Sequence, residues 1–338
     1  MKERAYYIDA VKGIAILCIT FLHLENGVIP TWLNTWIGLF MITTFYFTSG
    51  WINGVQNKTT NVKEFAAKRI RQLGIPYLWF SLLILLFNTV WCICGFMDYH
   101  ILLRDIYKTV TLRGIGTLWF LPALFIGEII FCYIKNGKRK WLLAFAALIL
   151  TIMVSYIYNN VWLPLREESL LNKIIDAPIQ PIVRGIIAWP IIAAGSIFVK
   201  LIWPAIIKCG KYVMLLFALI TISFSISLII TPVFDIYYLN SFISNILPAI
   251  GFICLFYATN KTNPITRFFT FWGVNSLVIM CTHYSIVQEV LNTLDKHYIH
   301  SGFTGPTTIV YFLLAIAISY PIVVLFNNKL KFMLSKKS

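Results

Sequence analysis

The chain has 338 residues, of which 59% are apolar, 16% aromatic and only 12% charged, and its mean hydropathy is +0.78. That composition excludes a soluble globule and predicts an all-α, polytopic membrane protein. The net charge of +15 would suggest nucleic acid in a soluble chain; here its distribution reads as membrane topology, and no nucleic-acid partner is expected.

The first apolar run contains His23 and Glu25 and meets no small-x-small cleavage site before the next one. It therefore reads as a first span and not as a cleaved signal. Ten spans are expected, at 10–28, 33–54, 75–95, 115–134, 141–158, 182–202, 212–230, 241–259, 268–292 and 306–326. Pro76, Pro122, Pro190 and Pro248 interrupt four of them. With the N-terminus inside, 20 of the 28 Lys and Arg fall on the inner side and 7 on the outer, Lys12 lying within the first span. This bias predicts an even number of spans and two cytoplasmic termini.

The longest connections are 55–74 inside, and 96–114 and 159–181 outside. The first carries Lys63, Lys68, Arg69 and Arg71 just before a span and is expected as an amphipathic interfacial helix. Its simplest role is topology and attraction to anionic lipid, about 1 kcal/mol per basic residue. No internal repeat and no soluble domain is evident, so 1–338 reads as a single membrane-embedded domain. The seven Cys, at 18, 92, 94, 132, 209, 254 and 281, lack zinc or thioredoxin spacing. They are expected as small buried apolar residues, with no metal site.

Charge within a span is costly, so the polar residues of the first span are functional candidates. Lys12 and His23 are eleven residues apart, about three full helical turns, and so share a face roughly 16 Å apart along the axis. Asp9, three residues before Lys12, can neutralise its ammonium. Glu25 points nearly opposite His23 and is not paired with it. His23 lies about 20 Å above the cytoplasmic face. His283, 13–15 residues into the ninth span, falls at a similar depth, and Ser276 shares its face. Glu128 and Glu289 complete the buried carboxylates. A lone intramembrane His serves as hydrogen-bonding glue as readily as it serves chemistry. Two at matching depth, one aligned over a Lys, favour chemistry, since imidazole can take a hydroxyl proton and return it.

Several segments then resemble one family in order along the chain. "DAVKGIAILCITFLH" (9–23) resembles the Arg/Lys-x10-His signature of the acyltransferase-3 family of membrane acyltransferases. "FYFTSGWING" (45–54), "KRIRQLGIPY" (68–77), "LWFLPALF" (118–125) and "GVNSLVIMCTHY" (273–284) are similar to its aromatic Phe-Ser-Gly, Arg-x-x-Arg-Pro-Tyr, Leu-Trp-Phe-Leu and Gly-x-x-Ser-Leu…His segments. The departures are Lys12 in place of Arg and Lys68 in place of the first Arg of the basic pair. Lys binds phosphate without the bidentate fork of Arg. No fused esterase-like domain is evident, the chain ending about 12 residues past its last span.

The resemblance implies transfer of an acetyl or other acyl group from cytoplasmic acetyl-CoA to a hydroxyl of a surface or capsular glycan or its lipid-linked precursor. It implies a bacterial-type plasma membrane and a cell-envelope role. Lys68, Arg69 and Arg71 would meet the CoA phosphates. Lys12, neutralised by Asp9, would hold a phosphate or polarise a carbonyl, and His23 would be the general base, an acetyl-His intermediate being left open. Ser49, Trp119, Glu128 and His283 are pocket candidates for a carbohydrate or glycolipid acceptor. Membrane lipid is a further partner, and the oligomeric state, homodimer included, is open. The rival is a proton-coupled transporter or lipid-linked sugar flippase, which buried Lys, His and Glu also suit, although no inverted pair of broken helices is evident. A glycosyltransferase lacks an outer Asp-x-Asp, and no G-x-S-x-G, P-loop or HExxH occurs.

Overall fold

The computed structural model describes residues 5–56, 61–231 and 237–335. In chain order it builds α1 (Tyr6–Leu24), α2 (Thr31–Gln56), α3 (Val62–Arg69), α4 (Ile75–Ile93), α5 (Tyr99–Val110), α6 (Phe120–Asn136), α7 (Lys140–Ile157) and α8 (Leu163–Glu168). There follow α9 (Leu170–Leu201), α10 (Trp203–Ile206), α11 (Lys211–Ile230), α12 (Tyr237–Thr259), α13 (Pro264–Val274), α14 (Ser276–Thr282), α15 (Glu289–Leu294) and α16 (Pro306–Asn328). No strand occurs among the described residues. The cations Lys2, Arg4, Lys58, Lys336 and Lys337, counted above as inner, lie outside the described residues.

Among the described residues eight helices are long and apolar enough to cross a membrane, nine if the bent pair Pro264–Val274 and Ser276–Ile299 is one span. The expected span 33–54 is the 26-residue α2, whose Thr, Ser and Asn residues leave it less apolar than the others. The expected ninth span is broken by 60° at Asn275, whose amide donates to the Phe271 carbonyl (2.8 Å) instead of continuing the helix smoothly. In α7, Trp141, Leu142, Phe145, Leu148, Ile149 and Ile152 are exposed, as a lipid-facing helix requires.

Two outer loops expected from sequence are helical. Residues 159–181 extend α7 through a π turn at Tyr158–Trp162 into α8 and form the first turns of α9. Segment 96–114 contains α5, whose buried Asp105 accepts from Asn88 Nδ2 (3.0 Å) and Lys108 Nζ (2.9 Å). Burial lowers the Lys108 ammonium below its ordinary pKa, and Asp105 opposes that shift. Segment 55–74, expected inside, takes in the end of α2 and is helical again from Val62, and Val62–Ile93 runs on as one 32-residue helix through a π turn at Ile70–Gly74. Of the cysteines, Cys132, Cys254 and Cys281 are buried, Cys18 and Cys92 half-buried, and Cys94 and Cys209 exposed. The last two flank apolar helices and do not sit inside them, so the expectation of burial fails there.

The chain forms two compact units, one of the residues up to Gln56 with Ala194–Val323, the other of the residues between them with those from Val324 on. In the first, α1 packs on α2, α12 and α13. A Cβ on Gly13 would lie 1.8 Å from the Phe269 carbonyl oxygen, and one on Gly273 would lie 1.6 Å from that of Asp9. The backbones of α1 and α13 therefore touch, the close approach that small residues permit in membranes. In the second, α6 approaches α9 in the same manner at Gly127 and Gly185.

Candidate functional site

The first unit carries the expected base. α1 is unbroken from Tyr6 to Leu24, so Lys12 and His23 keep the helical spacing that puts them on one face. Lys12 Nζ lies 2.7 Å from Asp9 Oδ1, an ion pair with the carboxylate almost wholly buried. A buried carboxylate needs such a partner, and the backbone contact of Gly13 and Gly273 fixes the turn that carries both residues.

At the other end of α1, the His23 ring centroid is 5.3 Å from that of His283 and 4.7 Å from that of Tyr284. His283, 2% exposed, opens a π turn, His283–Gln288. Such turns are frequent at functional sites because the widened turn re-aims a side chain. Its Nδ1 lies 2.7 Å from the Ile279 carbonyl oxygen, and its Nε2 is buried without a hydrogen-bond partner. Gln288, closing the same turn, donates through Nε2 to the His23 carbonyl. Glu25 instead builds the connection to α2, accepting from the Val28 and Ile29 amides (2.8 and 3.2 Å) and Asn34 Nδ2 (2.6 Å). Ser49 is half-buried on α2, where its carbonyl accepts from Asn53.

The second unit carries the expected donor cations. Lys68 and Arg71 are exposed. Arg69 is committed: its Nη2 meets buried Glu128 Oε1 at 2.6 Å, its Nη1 donates to Gln72 (2.8 Å), and its guanidinium lies over Phe65. Two residues assigned to separate subsites from sequence thus form one ion pair. The Trp119 ring carries the Arg184 guanidinium, 4.2 Å from its centroid.

Sequence reading passed over the residues on the next turns of α9. Fully buried Asp176 accepts from Tyr158 Oη (2.9 Å), Trp162 Nε1 (2.8 Å) and Gln180 Nε2 (2.7 Å), and Arg166 Nε lies 3.1 Å from it. Gln180 in turn accepts from Arg113 Nε at 3.3 Å. Asp176, Gln180 and Arg184 are spaced by four, and that helical row was the available signal. Among the described residues no three His, Cys, Asp or Glu come together to hold a metal ion.

An apolar cleft of about 230 Å³ adjoins the basic helix, lined by Leu73, Tyr77, Leu121, Pro122 and Phe125 among others.

Comparison with known proteins agrees with the ordered motifs. A family model described as an acyltransferase domain, that of the acyltransferase-3 family, matches residues 5–327. No curated protein and no solved structure matches the chain.

Proposed function

This chain belongs to the acyltransferase-3 family, and we propose that it moves an acetyl group from cytoplasmic acetyl-CoA to a hydroxyl of a surface or capsular glycan or its lipid-linked precursor. Its apolar helices and its family make it an integral membrane protein. In this reading it lies in a bacterial-type plasma membrane with both termini cytoplasmic, as the Lys and Arg bias favours. The observation that carries the proposal is α1 itself. One helix holds the Asp9–Lys12 ion pair towards its start and, about 16 Å further along the same face, His23 beside His283.

In the reaction, His23 accepts the proton of the attacking hydroxyl and returns it to the departing sulfur. Asp9, 2.7 Å from the Lys12 ammonium, orients it, so that Lys12 can hold a phosphate of the donor about 16 Å along the helix from His23. Lys68 and Arg71, exposed on successive turns of one helix, suit the diphosphate and 3′-phosphate of CoA. Arg69, tied to Glu128, fixes that stretch in place. Trp119, with Arg184 on its ring, and Ser49 remain candidates for the acceptor.

The test is purified protein in lipid vesicles with labelled acetyl-CoA. Release of CoA with transfer of label to hydroxyl acceptors is the expected result. Gradient-driven uptake of a sugar lipid without acetyl turnover would overturn it in favour of a transporter.

A further inference from the structure

The environment of His283 assigns it a tautomer. The Ile279 carbonyl can only accept, so the Nδ1 that lies 2.7 Å from it must carry the proton. Nε2 then holds a lone pair, buried, and receives no hydrogen bond. Leaving a buried acceptor empty is costly, so a donor is expected to fill it at some stage of the protein's work. His23 places a ring with an N–H beside it, its centroid 5.3 Å away and tilted by 38°. Ring nitrogens lie about 1.2 Å from an imidazole centroid, so edge-on alignment brings the two nitrogens to about 3 Å, within hydrogen-bonding range. Gln288, on the same π turn, holds the His23 backbone through its carbonyl and so couples the turn to that histidine.

We propose that His283 is the positioning partner of His23 in a two-histidine relay, its Nε2 accepting from the His23 ring N–H that lies away from the hydroxyl, a bond that strengthens as His23 becomes imidazolium. The inference rests on the acyl-transfer reading above. A hydroxyl oxygen attacks the carbonyl carbon of an acyl thioester, and the hydroxyl proton passes to His23. The carbon–sulfur bond then breaks, sulfur leaves with the electron pair, and His23 returns the proton to it, giving an ester and a thiol. His283 gains and loses nothing over the cycle. It orients His23 and supports its transient charge, a role a carboxylate fills in hydrolytic triads, and here a neutral ring in an apolar bundle does so without a buried anion.

Two substitutions separate this role from a purely structural one. His283→Asn keeps a donor for the Ile279 carbonyl and removes the acceptor facing His23, whereas His283→Gln places a carbonyl oxygen where Nε2 stood. With acetyl-CoA as donor and the hydroxyls of the host membrane as acceptors, CoA release is measured in membrane vesicles. His283→Asn is expected to lower kcat about 10- to 150-fold, the value of a hydrogen bond to a charged group, with KM for acetyl-CoA nearly unchanged. His283→Gln should recover most of it. In mixtures of light and heavy water, the wild type should show a bowed dependence of kcat, with two protons in motion, and His283→Asn a linear one. The opposite order, with Asn active and Gln impaired, or a bowed dependence that survives in His283→Asn, would overturn the relay. A wild type that releases no CoA would overturn the acyl-transfer reading itself, and the relay with it.

Discussion

At the scale of single residues, Lys12, Asp9, His23 and His283 were legible because a helix converts spacing into direction. Eleven residues return to the same face, three residues place Asp9 beside Lys12, and the structure makes that pair at 2.7 Å. The meeting of His23 with His283 was only half legible: similar depth could be counted, but which helices adjoin could not. The fate of Arg69 was not legible at all, since Glu128 lies 59 positions away and the pair at 2.6 Å exists only once α3 meets α6. His23→Ala is expected to leave insertion intact and to cut acetyl turnover by about 10²–10⁴, the usual contribution of a general base. Turnover near the wild-type rate would remove His23 from the chemistry. The basic segment offers a contrast between neighbours. Arg71→Gln should raise the KM for acetyl-CoA by about 10- to 150-fold, as loss of one charge-assisted contact does, while saturated turnover falls far less. Arg69→Gln should instead reduce the yield and thermal stability of inserted protein, because it removes the guanidinium that buried Glu128 pairs with, and breaking a buried pair typically costs about 3–5 kcal/mol. Unchanged donor affinity in Arg71→Gln and in the matching Lys68 variant would return this helix to a lipid-facing, topological role.

At the scale of elements, the apolar runs marked most helices and misplaced their ends. Segment 159–181 reads as a loop because Asn159, Asn160, Arg166, Glu167, Glu168 and Lys173 make it polar. It is helical because Asp176 draws Tyr158, Trp162 and Gln180 into one hydrogen-bonded knot across the α8–α9 turn. Periodicity cannot report partners 14 and 18 positions away. The break at Asn275 was equally hidden, since "GVNS" sits inside an apolar run with no proline. Its neighbour Gly273 had a reason that only packing reveals: it lets α13 touch the backbone of α1 beside Asp9. Gly273→Ala would put a methyl group 1.6 Å from the Asp9 carbonyl oxygen, a contact no side-chain motion can relieve. The helices must part, at a cost of at least about 1–3 kcal/mol, and the Asp9–Lys12 turn moves with them. Lower thermal stability and lower turnover are expected together. A variant with wild-type melting would mean that α1 and α13 are not in backbone contact.

At the scale of the whole molecule, the Lys and Arg bias predicts an orientation that labelling can measure. The predicted inner and outer segments differ by 20 to 7 in Lys and Arg, a bias large enough to set which side each connection occupies. The two exposed cysteines sit on segments expected on opposite sides. Cys94 caps the end of α4, where the chain enters the segment expected outside, and Cys209 lies in the turn between α10 and α11, expected inside. One helix, α4, separates the basic segment from Cys94, and α9 leads to the turn that holds Cys209. Proteins retaining only one of these cysteines, with the other six replaced by Ala or Ser, give two reporters free of buried thiols. In intact cells a membrane-impermeant maleimide should label the Cys94 protein and spare the Cys209 protein. In inverted vesicles the pattern should reverse. Labelling of both from one side would require an odd number of crossings between residues 94 and 209 to become even, and so would refute the ten-span arrangement. Labelling in the opposite sense would keep that arrangement and turn it over, putting Lys68 and Arg71 outside, where no cytoplasmic acyl-CoA could meet them. The orientation and the identity of the donor therefore stand or fall on the same pair of thiols.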